Sequence, residues 1–147
     1  MKIERDAWIV LADGRKALIA QNTGTPLEPK LTVREVIEAE PNPPTHEQGR
    51  DRPGRTHDST SPGRSAMEQT DWHARAEADF AKTIAQAMEE LCAANDAASF
   101  VLVAAPRALA DIRAAMPVAV RARTVSEVDK DLTNHPVPEI EKILAGL

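Results

Sequence analysis

Ser99–Ala104, SFVLVA, decides the fold. An unbroken apolar run of this length, rich in β-branched residues, reads as a strand buried on both faces, the kind found inside a parallel sheet. The segment before it, Asp71–Asn95, carries Trp72, Ala76, Phe80, Ile84, Ala87, Met88 and Leu91 at helical spacing, with charges on the other face. That predicts a helix of about six turns, capped at its start by Thr70 or Asp71. A strand reached through a long crossover helix lies parallel to an earlier strand of the same sheet. The chain is therefore expected to be an α/β protein.

Upstream, Ala7–Ala12 (AWIVLA) reads as a buried strand. Asp13-Gly14 signals a hairpin turn, and Lys16–Asn22 (KALIAQN) a second strand, ended by Gly24 and Pro26. Leu31–Ala39 (LTVREVIEA) alternates imperfectly but carries two Val and one Ile, as strands do. These three make an antiparallel meander. Downstream, Pro106 opens a short helix over Arg107–Met116, and Pro117 ends it. Ala122–Val128 (ARTVSEV) reads as a half-buried strand. Asn134 or Thr133 is expected to cap a last helix near Pro136–Leu144. The order is three strands, a long loop, then α-β-α-β-α, in a single domain over residues 1–147.

The long loop is set apart by composition. Glu40–Ser65, EPNPPTHEQGRDRPGRTHDSTSPGRS, contains no Ala, Val, Ile, Leu, Met, Phe, Trp, Tyr or Cys. Such a stretch has nothing to bury and cannot fold against a core by itself. We read 40–70 as a flexible insertion into the domain. It holds Arg50, Arg52, Arg55, Arg64 and His57. The chain has a formal net charge of −5, yet Gly49–Arg64 sets four arginines against Asp51 and Asp58. A local basic patch on an acidic body suits contact with an anionic partner. Guanidinium groups beside Gly and Pro fit phosphate contacts; a solubilising insertion is the competing reading. The loop has no interleaved aromatic residues, so the backbone of a folded RNA fits it better than base stacking does. After the last strand, Asp129 and Asp131 are either a solvated charge run or acceptors that pin the loop arginines.

Other chemistries find little support. His46, His57, His73 and His135 are scattered, and no HExxH, CxxC or GxSxG is present. No metal ion or cofactor is expected. The order of elements matches a ribonuclease H-like architecture, but SFVLVA carries no acid and Asp13 sits where a turn needs it. GxxxxGK[ST] and GxGxxG are absent; Ala105-Pro106-Arg107 reads as a helix start. Cys92 is the sole cysteine, so no internal disulfide forms, and its place beside Leu91 makes it a small core residue. Catalysis is not expected. The first apolar run is too short for a signal-peptide core or a membrane span, so a soluble, cytoplasmic protein is expected.

Four segments carry a resemblance: WIVLADGRKALIAQNTG (8–24), DRPGRTHDS (51–59), FVLVAAPRALADIRAAM (100–116) and VRARTVSEVDKDLTNHP (120–136). In this order they resemble the bacterial host attachment proteins. That family is grouped with bacterial relatives of the archaeal and eukaryotic class-1 peptide-chain release factors, through their central ribonuclease H-like domain. The resemblance implies a mixed five-stranded sheet in the order 3-2-1-4-5. In the release factors a Gly-Gly-Gln loop precedes the long helix. Here the same place reads Ser61-Pro62-Gly63-Arg64-Ser65, and Gln69 lies too far on to align. Peptidyl-tRNA hydrolysis is thus not implied. What the resemblance does imply is a Gly- and Arg-bearing loop directed at ribosomal or transfer RNA, as in stalled-ribosome recognition factors that also lack the Gln. The expected function is a non-catalytic factor that associates with the ribosome or structured RNA. The alternative is a protein-interaction factor acting in bacterial attachment to host cells.

Overall fold

Two strands form the axis of the molecule: Trp8–Ala12 (β1) and Phe100–Ala104 (β4). The computed structural model describes residues 1–39, 62–94 and 97–147, and of 62–70 the backbone only. In it β1 and β4 pair in parallel, from Trp8 opposite Phe100 to Ala12 opposite Ala104. Every residue of both strands is buried, as the apolar runs require. Lys16–Asn22 (β2) lies antiparallel to β1, and Leu31–Glu38 (β3) antiparallel to β2. Thr124–Val128 (β5) lies parallel to β4. The sheet order is β3-β2-β1-β4-β5, as the resemblance implied, and the architecture is consistent with a ribonuclease H-like fold.

Pro62–Ala93 (α1) crosses from β3 to β4. Pro106–Ala115 (α2) and Val118–Arg123 (α3) connect β4 to β5, and Val137–Ala145 (α4) follows. Alternation along the strands divides the core into two layers. Trp8, Val10, Ala12, Ile19, Phe100 and Leu102 point to one face and pack with Phe80, Ile84 and Met88 of α1 and Leu109 and Ile112 of α2. Ile9, Leu11, Leu18, Val101 and Val103 point to the other and pack with Ile3, Leu132 and Ile140 and Leu144 of α4. Burying each such aliphatic side chain stabilises by about 1.5–3 kcal/mol. Cys92 is buried in the first layer, as its spacing suggested.

Several sequence expectations need correction. The helix α1 begins at Pro62, so Pro62–Thr70, read as part of the 40–70 loop, is helical and Thr70 and Asp71 lie inside it rather than capping it. Proline fits a first helical turn, where no amide donor is needed. Ala76, placed on the buried stripe, is exposed; the stripe meets the sheet only from Phe80 onward. Ala122 and Arg123 belong to α3, which the sequence did not signal, and β5 starts at Thr124. Neither Thr133 nor Asn134 caps α4: its N-cap is Pro136 and makes no side-chain bond.

The buried amide of Asn22 fastens the amino end of β1. Its Nδ2 donates to the carbonyls of Ile3 (2.8 Å), Glu4 (3.3 Å) and Thr25 (3.4 Å). Its Oδ1 accepts from the amides of Gly24 (2.9 Å) and Lys30 (3.0 Å). Gly24 needs its missing side chain here: a Cβ would stand 2.5 Å from the Glu28 carbonyl oxygen.

Candidate functional site

The carboxyl ends of β1, β3, β4 and β5 share one edge of the sheet. In doubly wound α/β sheets that edge is where ligands are held. Here it is assembled from the β1–β2 turn, the end of β3, α1 near Glu77, the start of α2 and the segment after β5.

The turn Asp13-Gly14-Arg15 is organised by one carboxylate. Asp13 Oδ1 accepts from the amides of Arg15 and Lys16, both at 2.7 Å, and the Asp13 amide donates to the Lys16 carbonyl at 2.9 Å. This is the self-bonding turn that Asp favours. No glycine has positive φ among the described residues, so Gly14 is not there for the left-handed region that Asp-Gly hairpins use. Its role is space: a Cβ would lie 3.0 Å from the Glu77 side chain. Glu77 in turn faces Arg107 of α2 at 4.0 Å, a loose and partly exposed pair that contributes little.

Thr133 ties this turn to the far side of the sheet. It is buried, and its hydroxyl lies 2.9 Å from Asp13 Oδ2 and 2.8 Å from Asp131 Oδ1. A hydroxyl has one proton to give. Asp131 Oδ1 also accepts the Thr133 amide at 3.3 Å, so the hydroxyl can serve Asp13 while Asp131 keeps a donor. The Ala39 amide donates to the Arg15 carbonyl at 2.7 Å, and the Ala105 amide to the Ala12 carbonyl at 3.3 Å. Thus β3, β1 and β4 are all bound at this edge.

Of the residues singled out from sequence, Asp131 is held by Thr133, and Asp129 is exposed just past β5. Arg50, Arg52, Arg55 and His57 lie outside the described residues. Arg64 lies on the first turn of α1, where only the backbone is described. The Asp13–Thr133 contact spans 120 positions, and no local pattern announces it. Among the described residues no group of three His, Cys, Asp or Glu could hold a metal ion, and no helix is long and apolar enough to cross a membrane. What the edge offers is hydrogen-bond acceptors (Asp129, Asp131, Glu77) interspersed with cations (Arg15, Lys16, Arg107, Lys130).

Beside this edge, α2 is held to β5 by Arg113, whose guanidinium meets Glu127 through Nε at 3.2 Å and Nη2 at 2.9 Å. The bond to Glu127, and then its charge, raise the Arg113 pKa above the ordinary value.

A family model described as "protein required for attachment to host cells" matches residues 8–144, nearly the whole chain. No curated protein matches it.

Proposed function

This chain belongs to the family of proteins required for attachment to host cells, and we propose that it serves as a non-catalytic binding factor whose arginine-bearing 40–61 segment contacts the phosphate backbone of structured RNA, the ribosome first. One observation carries the reading. The segment that concentrates positive charge on an acidic chain follows β3, whose end meets the carboxyl edge of the sheet where the Ala39 amide donates to the Arg15 carbonyl. A long loop that leaves the carboxyl end of a sheet strand is where function is expected. Arg50, Arg52 and Arg55 supply planar, permanently charged donors matched to phosphate. The resemblance to release-factor relatives without the Gly-Gly-Gln motif supports RNA as the polyanion. Attachment would then be affected indirectly, through translation.

The family's description favours a second reading, in which the same segment binds an acidic protein or a surface polysaccharide during attachment.

Ribosome co-sedimentation from lysate at low and high salt tests the first reading. Salt-sensitive co-migration is expected, and replacing Arg50, Arg52 and Arg55 together by Glu should weaken it by about tenfold or more, because phosphate contacts dominate such binding. Equal binding by the charge-reversed protein, or absence from ribosome fractions at both salts in growing and starved cells, rejects RNA and leaves the second reading. Fractionation then locates the protein.

A further inference from the structure

We infer that β3 is a self-recognition edge, and that two copies of this chain pair β3 against β3 across a two-fold axis into one continuous ten-stranded sheet.

The strand ends the sheet order, so among the described residues one side of its backbone has no ladder partner. Edges of this kind are templates for another strand unless they are blunted. Most of β3 is open: Val33 is 38% exposed and Val36 50%, and Arg34, Glu35 and Glu38 are exposed. Among the described residues, neither Arg34 nor Glu35 takes part in an ion pair.

The centre of β3, Val33–Val36 (VREV) within LTVREVIE, is complementary to itself when reversed about the Arg34–Glu35 bond. An antiparallel copy centred there sets Arg34 opposite the partner's Glu35 and Val33 opposite the partner's Val36, each pair occurring twice. Directly opposed antiparallel residues share a face and sit close enough for opposite charges, or two β-branched side chains, to interact favourably. An isologous contact requires this kind of self-complementarity.

The local irregularity of β3 agrees with the pairing. Ile19 pairs with Glu35 and Ala20 with Val33, so Arg34 is an extra residue bulged out of the ladder. The bulge puts Arg34 on the same face as Glu35. Arg34 Nη2 donates to Gln21 Oε1 at 3.2 Å; Gln21 is opposite Trp8, and Glu35 is opposite Ile19, both in the α1-side core. Val33 and Val36 are opposite Ala20 and Leu18, in the α4-side core. Arg34 and Glu35 thus share one face, and Val33 and Val36 the other. A lone bulge blunts an edge, but a two-fold axis sets bulge against bulge and keeps the two strands in register. The contact closes on itself and uses up β3 in both copies, so it stops at two.

The test is sedimentation equilibrium of the full chain, with circular dichroism to verify folding. Wild type should be a dimer. Glu35→Arg puts Arg34 against an arginine, and Arg34→Glu puts Glu35 against a glutamate. Each variant alone should dissociate about tenfold or more easily. Mixing the two variants should restore dimers, because one chain then carries two acids at these positions and the other two arginines. A variant that is merely damaged gains nothing from mixing. A monomeric wild type at high concentration, a dimer indifferent to either reversal, or a mixture no more associated than its parts would each overturn the proposal.

Discussion

Asn22 and Thr133 are the buried polar side chains among the described residues, and they lie at opposite ends of the sheet. Asn22 is answered by main-chain groups, three carbonyls and two amides. Thr133 is answered by two carboxylates on surface segments. Main-chain partners are always present and never change charge, so the amino end is a permanent fastening. Carboxylate partners have further lone pairs and can accept from an incoming cation. The two ends therefore differ: one is closed by main-chain groups, and the other by carboxylates with acceptor capacity to spare.

The largest effect should come from the fastened end. Asn22→Ala leaves buried main-chain donors and acceptors without partners, and should cost about 3 kcal/mol in urea unfolding. A loss below about 1 kcal/mol would break the contrast. Asp13→Ala removes the acceptor for two turn amides and for Thr133; the turn is partly solvated, so about 2 kcal/mol is expected. Thr133→Val keeps the shape and removes the hydroxyl, with a cost of about 1 kcal/mol. If it costs as much as Asn22→Ala, the carboxyl edge is as much a structural fastening as the amino end. Smallest is Gly14→Ala, at about 0.5 kcal/mol or less, since the obstructing atoms belong to the flexible Glu77 side chain and the backbone is not left-handed. A large loss there would show that the turn depends on glycine's conformational freedom.

Strands that are apolar throughout were legible. AWIVLA and SFVLVA appear as β1 and β4 nearly at their expected bounds, because burial on both faces leaves little room for other residues. The parallel pairing followed from the crossover helix alone. The start of α1 was not legible, because its first turn lies in a stretch without apolar residues, where helical periodicity has nothing to act on. The segment α3 is a single exposed-faced turn and a half that buries only Val120, too little to leave a pattern. At the candidate site, Asp13 was read as a turn residue and is one. Its partner Thr133 looked like a helix cap, because local sequence shows the short-range uses of threonine and hides a bond closed by the whole fold. Asp131 stands out in the sequence by its charge, while its engagement by Thr133 is set by the fold.

One feature of α1 has a mechanical side. Glu77 lies beside the β1–β2 turn, so the residues from Pro62 to Ala76 run on past the end of the sheet. At 1.5 Å per residue that is an arm of about 22 Å. From Asp71 to Asp79 no residue is buried, whereas Phe80, Ile84 and Met88 are clamped in the core. The helix thus has one end anchored in the core and the other extending past the sheet edge. By the same geometry a tilt of about 5° at the sheet edge corresponds to about 2 Å at Pro62. Small angular differences where Phe80 packs are therefore magnified at Pro62.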